Sequence, residues 1–211
     1  MKTLSVAVVL FAALVAQAND KKFEEAMAAP IQRVYTAEKI DELQTAVNTL
    51  DRIAQAEKTR WEPLYYAAFG YVMMANREAE AAKKDGYLDQ ALERIKKAAA
   101  LNQNNSEVTA LEGFVHMIRV TVDPATRGQQ YSGLSMQAYG KAIQQDPNNP
   151  RALALMAQMQ YGMAKFFNSP VTEACGLAQK AMTLFEAAKN ESILTPAWGK
   201  GMTEGLLQQC Q

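Results

Sequence analysis

The feature that most restricts this chain is a helical period that returns in almost every long segment. Between Thr36 and Ala56, the residues Ile40, Leu43, Val47, Leu50 and Ala54 follow one another at steps of three and four. That spacing places them on one face of a helix. Similar stripes run through Leu88, Ala91, Leu92, Ile95, Ala98 and Ala99, and through Cys175, Ala178, Met182 and Phe185. No stretch alternates apolar and polar residues with the valine, isoleucine and threonine enrichment of a half-buried strand. The chain is therefore expected to be all-α.

Turn clusters punctuate the helices, and one phrase is written twice. DPNNPRALALMA (146–157) runs from a turn into an apolar helix, and NQNNSEVTALEG (102–113) is a weaker copy of it. Capping and breaking residues predict helices over 36–56 with Thr36 as N-cap, over 61–84 with a stop at Asp85-Gly86, and from Tyr87 onward. Further helices are expected at 107–120, 134–145, 151–167, 172–188 and 197–209. Thr195-Pro196 caps the last, and Asp123-Pro124 makes 123–133 a loop. A short leading helix from Lys21 to Ala29 is expected to stop or bend at Pro30. Small residues stand before successive turns at Ala98, Ala142 and Ala181, at intervals of 44 (142 − 98) and 39 (181 − 142). A period near 40 residues made of two helices reads as helical hairpins stacked into a short α-solenoid.

These residues resemble the tetratricopeptide repeat family. Tyr139, Ala142 and Pro147 stand at its aromatic, alanine and proline positions. Leu111 to Gly113 and Leu155 to Ala157 fall at its Leu-Gly site, and Trp61 with Leu64 matches the opening of another unit. The spacing exceeds the family's period of about 34 residues, and Gln103 occupies a proline position. The units are thus degenerate, about three of them within 36–190, with a capping helix at 197–209. The combination of DPATRG, DPNNPRA and TPAWGK is similar to exported tetratricopeptide-like proteins of Gram-negative bacteria. The resemblance implies a non-catalytic scaffold that binds a protein or peptide partner along the concave face lined by the first helices. Carried over position by position, the implied partner-binding residues are Glu62, Tyr66 and Phe69, then Glu107, Phe114 and Met117, then Arg151, Gln158 and Tyr161. The mixture of aromatic, amide and charged side chains suits an adaptable groove. An aromatic pocket between Trp61 and Phe69, holding a small molecule or an envelope component, is the alternative.

The N-terminus carries Lys2, twelve mostly apolar residues from Leu4 to Val15, and Ala16-Gln17-Ala18. This reads as a signal peptide over 1–18, cut after Ala18, since a membrane span needs about 20 residues. A single domain over 19–211 is then expected outside the cytoplasm, periplasmic or secreted, with no stable membrane insertion. Lysine plus arginine equal aspartate plus glutamate at 22 each, so no net field favours nucleic acid. In an oxidising compartment Cys175 and Cys210 read either as two buried small hydrophobes or as a disulfide joining the last two helices. Asn190-Glu191-Ser192 fits the glycosylation pattern.

Signals of catalysis are absent. His116 is the only histidine, no Cys-x-x-Cys accompanies it, and no phosphate-cradling, nucleophile-elbow or zinc-protease motif occurs. Neither a metal nor a cofactor is expected. Asp123 and Arg127, four residues apart in the expected loop, are the remaining pair that could serve a hydrolase. They read more simply as a turn cap and a side chain packed on a neighbouring helix end.

Overall fold

The computed structural model describes residues 20–189 and 192–211. The expected leader over 1–18 and the Asn190-Glu191 part of the glycosylation pattern lie outside the described residues. Among the described residues there are nine helices and no strand. They are α1 (20–36), α2 (Ile40–Ala56), α3 (Glu62–Arg77), α4 (Ala81–Leu101) and α5 (Ser106–Val122), followed by α6 (Pro124–Gln145), α7 (Pro150–Phe166), α8 (Thr172–Ala187) and α9 (Lys200–Gln209). The hairpins α3–α4, α5–α6 and α7–α8 start at 62, 106 and 150, a step of 44 residues each time (106 − 62 and 150 − 106). Their first helices lie side by side as an inner layer, and the second helices pack outside them. This is the expected all-α helical-repeat solenoid.

The twice-written phrase acts as a helix start in both places. Asn105 accepts hydrogen bonds from the backbone N–H groups of Glu107 and Val108 at 2.9 and 3.2 Å, and Asn149 accepts from Arg151 and Ala152 at 2.9 and 3.0 Å. Each asparagine satisfies two of the N–H groups that a helix leaves orphaned at its first turn. Pro150 occupies the first turn, where no N–H is needed. Asn149 also donates from Nδ2 to Ser106 Oγ at 3.0 Å, and Ser106 donates to the Ala142 carbonyl at 2.8 Å. One cap thus ties two repeats together.

Small residues set how closely the hairpin helices approach. A Cβ on Gly113 of α5 would lie 2.4 Å from the Tyr139 ring of α6, and one on Gly70 of α3 would lie 2.5 Å from Val47 of α2. Gly113 and Tyr139 are the glycine and aromatic positions of the repeat, so that pattern encodes a physical contact between paired helices. Tyr139 is completely buried by it.

Four local expectations are corrected. First, α1 runs through Pro30 to residue 36. The proline forfeits one ladder hydrogen bond, and the buried stripe Phe23, Met27, Ile31 and Val34 carries the helix across. Thr36 therefore ends α1, its hydroxyl donating to the Gln32 carbonyl at 3.0 Å, rather than capping α2. Second, the break between α3 and α4 falls at 78–80. Glu78 accepts from the N–H groups of Ala79 and Glu80, and Arg77 donates to the carbonyls of Met73, Ala37 and Glu38. Asp85-Gly86 lies inside α4, where Asp85 receives Arg127 at 2.8 Å and Arg119 at 3.2 Å. Third, 124–133 is helical. Pro124 stands in the first turn of α6 and Asp123 caps it by accepting from Thr126 N–H at 3.3 Å. Asp123 and Arg127 are both engaged in this architecture and form no free pair. Fourth, α9 begins at Lys200, and Thr195-Pro196 belongs to an irregular stretch before it.

Candidate functional site

The concave face of the inner layer contains a run of hydroxyls and aromatic rings contributed by α1, α3, α5 and α7. Tyr35 donates to the Tyr66 hydroxyl at 3.3 Å, and Tyr65 donates to Glu107 Oε2 at 3.3 Å. Glu107 accepts from Arg151 Nε and Nη2 at 2.7 Å each, and from Asn149 Nδ2 at 2.9 Å. The fork of Arg151 meets the carboxylate with two parallel bonds, the geometry in which such a pair is strongest. Burial works against the Arg151 charge, but the bonds to Glu107 outweigh it and hold the guanidinium above its ordinary value. Burial pushes the Tyr65 and Tyr66 hydroxyls well up, helped at Tyr65 by the Glu107 charge and at Tyr66 by Tyr35. Both stay neutral donors across the physiological range.

This face is already filled, and the filler is the chain itself. Residues 192–199 cross the groove in an irregular, non-helical conformation between α8 and α9. Tyr66 donates to the Leu194 carbonyl at 3.2 Å, Arg151 Nη1 donates to the Pro196 carbonyl at 2.8 Å, and Ala197 N–H donates to Tyr35 at 3.1 Å. Trp198 inserts between Phe69 and Phe114, with ring centroids 4.8 and 5.7 Å away and planes within 20°, and its Nε1–H donates to Tyr65 at 2.9 Å. Gly199 then turns the chain into α9 at φ +104, where a Cβ would meet Phe185 at 2.8 Å. Only glycine adopts that conformation without strain.

Six of the nine expected partner-binding residues converge here: Glu62, Tyr66, Phe69, Glu107, Phe114 and Arg151. Tyr66, Phe69, Phe114 and Arg151 are buried in doing so, so they face a segment of the same chain and not solvent. Glu62 borders a remaining cavity of about 360 Å³ beside Trp61, Arg151 and Thr195. Met117 packs on the main core. Tyr161 reaches the other end of the solenoid and donates to the Gln209 carbonyl of α9 at 3.1 Å. Gln158 is half-buried on α7, and among the described residues neither it nor Tyr161 hydrogen-bonds to 192–199. Sequence reasoning missed Tyr35, Tyr65 and the whole of 192–199. Its one available signal was TPAWG, a proline and a glycine bracketing a tryptophan, which read as a helix start.

The two cysteines are joined. Cys175 of α8 and Cys210, just after α9, form a disulfide with Cα atoms 5.9 Å apart, which settles the two readings in favour of the bond. His116 lies on α5, stacked on Tyr131 with centroids 6.0 Å apart, and burial, with a smaller contribution from Arg119, keeps its pKa below the ordinary value. Among the described residues no cluster of three metal-ligating side chains occurs, and no helix is long and apolar enough to cross a membrane.

A second concave feature opens between α6, α7 and α8. A cleft of about 210 Å³ is lined by Met136, Gln160, Met163, Ala164, Pro170, Glu173 and Ala174. At the same end of α7, Phe166 and Phe167 are 81% and 68% exposed, edge to face with each other. Exposed aromatic pairs of this size are uncommon on a solvated surface.

No family model matches the chain, and no curated protein matches it. Solved structures do. The HusA haemophore from Porphyromonas gingivalis superimposes with a TM-score of 0.80 and 27% identity, over 90% of this chain and 92% of that one. A thermophilic TPR protein from Thermus thermophilus superimposes with a TM-score of 0.55 and 16% identity, over 96% of each chain. The fold is tetratricopeptide-like. Its likeness extends over nearly the whole length of both neighbours, so the solenoid with its C-terminal helix forms one shared architecture.

Proposed function

We propose that this protein is an exported, non-catalytic carrier of a flat, largely apolar small molecule of the porphyrin class. The observation that carries the reading is the likeness to a haemophore over nine-tenths of both chains. The cleft bounded by Met136 and Met163, with Phe166 and Phe167 beside it, supplies what a planar apolar ligand needs. Two aromatic rings stand in solvent, and polarizable thioethers line the adjoining hollow as soft donors for a ligand's iron. The signal-like N-terminus and the disulfide both suit an oxidising compartment outside the cytoplasm. Intact-mass measurement of the exported protein is expected to find a chain beginning at Asn19.

Haemin titrated into the purified protein is expected to give a saturable Soret change. Phe166→Ser with Phe167→Ser should weaken it at least tenfold, in line with about 1.5–3 kcal/mol for each buried apolar side chain. Absence of saturable binding by the wild type would remove the carrier reading. A protein-partner adaptor is the second reading, favoured by a helical-repeat groove that already holds a segment threaded through its inner layer. Crosslinking in the native envelope, followed by mass spectrometry, tests it.

A further inference from the structure

The contacts between the groove and residues 192–199 are those of a receptor with its ligand. Three backbone groups of the segment are read by side chains, at Leu194, Pro196 and Ala197. One indole fills the space between two phenyl rings and is hydrogen-bonded at its far edge. The segment supplies one hydrogen bond acceptor to Tyr66, another to Arg151, and an anchor. This is the division between main-chain affinity and side-chain specificity used when a folded domain recognises an extended peptide.

A second restraint on the segment lies outside the groove. α9 follows it directly, and the Cys175–Cys210 bond ties the end of α9 to α8. The bond closes a loop of sequence separation 35 that contains all of 192–199. Both cysteines are only partly buried, so a thiolate can reach them.

We propose that residues 192–199 are a built-in ligand of the concave groove, latched by the Cys175–Cys210 disulfide, and that opening the latch frees the groove for a segment of the same chemistry. The incoming segment presents two backbone carbonyls and, after them, a tryptophan. The opening step consumes a dithiol. Its thiolate attacks one sulfur of the bond, its second thiol resolves the mixed disulfide, and Cys175 and Cys210 leave as two thiols while the dithiol becomes a cyclic disulfide.

The test uses the full chain and a fluorescent peptide with the sequence Ser-Ile-Leu-Thr-Pro-Ala-Trp-Gly, with anisotropy as readout. The oxidised wild type is expected to leave the peptide free. The dithiol-reduced wild type and the Trp198→Ala variant are each expected to bind it at least tenfold more tightly, and neither should bind a peptide whose tryptophan is replaced by alanine. Circular dichroism on the same samples reports the fold. If the Trp198→Ala variant loses its helicity, the reduced wild type alone decides. Folded samples that do not bind would overturn the proposal. Equal binding by the oxidised wild type would too, since the site would then lie elsewhere, and so would loss of fold on reduction, because the bond would then hold the core and not a latch. Haemin binding measured on the same samples is independent of all these outcomes.

Discussion

Replacing Arg151 with methionine isolates its buried, bidentate pair with Glu107. The Arg151 side chain is 9% exposed, the Glu107 side chain is 17% exposed, and three hydrogen bonds of 2.7 to 2.8 Å leave Arg151 for Glu107 and the Pro196 carbonyl. A methionine at this position would fill similar volume but leave the Glu107 carboxylate without its cation. Removing one partner of a buried pair costs about 3–5 kcal/mol. For a domain of this size each kcal/mol lowers Tm by about 2–4 °C, so a fall of about 6–20 °C is expected. Replacing both residues, Glu107→Gln with Arg151→Met, removes the stranded charge. What remains is an unpaired Pro196 carbonyl, costing about 1–3 kcal/mol. The double variant should therefore be more stable than the single Arg151→Met variant. Urea denaturation followed by far-ultraviolet circular dichroism measures all three, together with Glu107→Gln alone to complete the cycle. A single variant within about 1 kcal/mol of wild type would refute the reasoning. So would a double variant equal to the sum of the singles, since the two side chains would then act independently.

Gly113→Ala is expected to destabilise by about 1–3 kcal/mol, because the added methyl meets the fixed ring of Tyr139. Gly140→Ala, on an open part of α6, should instead stabilise by about 0.5–1 kcal/mol, and chemical denaturation of the pair checks both signs. Replacing Cys175 and Cys210 by serine opens a loop of separation 35 and is expected to cost about 3–4 kcal/mol on the loop-entropy relation, read as a shift in urea midpoint. His116 has its pKa lowered in the fold by burial first and by Arg119 second. The unfolded chain therefore takes up that proton at higher pH than the folded one does. The stability it contributes is present above its ordinary value of 6.5 and is lost as pH falls below it. A His116→Gln variant should show a flatter loss of stability with acidification than the wild type.

The elements legible in the sequence are those whose cause lies within a few residues. An apolar stripe at steps of three and four makes a helix wherever one face can be buried, so the all-α class and the hairpins followed from the pattern of residues. Asn105 and Asn149 act on N–H groups two and three residues ahead, so the repeated phrase carried its meaning locally. The pairing of a small residue with an aromatic likewise survived as Gly113 against Tyr139. The repeat also put Tyr66, Phe69, Phe114 and Arg151 on first helices, where they lie buried against residues 194–198 of the same chain.

Tertiary structure decided what local signals left ambiguous. Pro30, Asp85-Gly86 and Asp123-Pro124 read as breaks and Thr195-Pro196 as a helix start, yet helix continues through the first two, starts at the third and is delayed past the fourth. In each case the outcome depends on distant partners: a buried face under Pro30, Arg119 and Arg127 reaching Asp85, and Phe69, Phe114 and Arg151 drawing 195–198 away from helical geometry. The Tyr66 bond to Leu194 spans 128 residues. No pattern of neighbours along the chain encodes it, since it forms only once the stacked hairpins bring both ends of the solenoid to one surface. The chain's own order wrote a groove; folding placed residues 192–199 inside it.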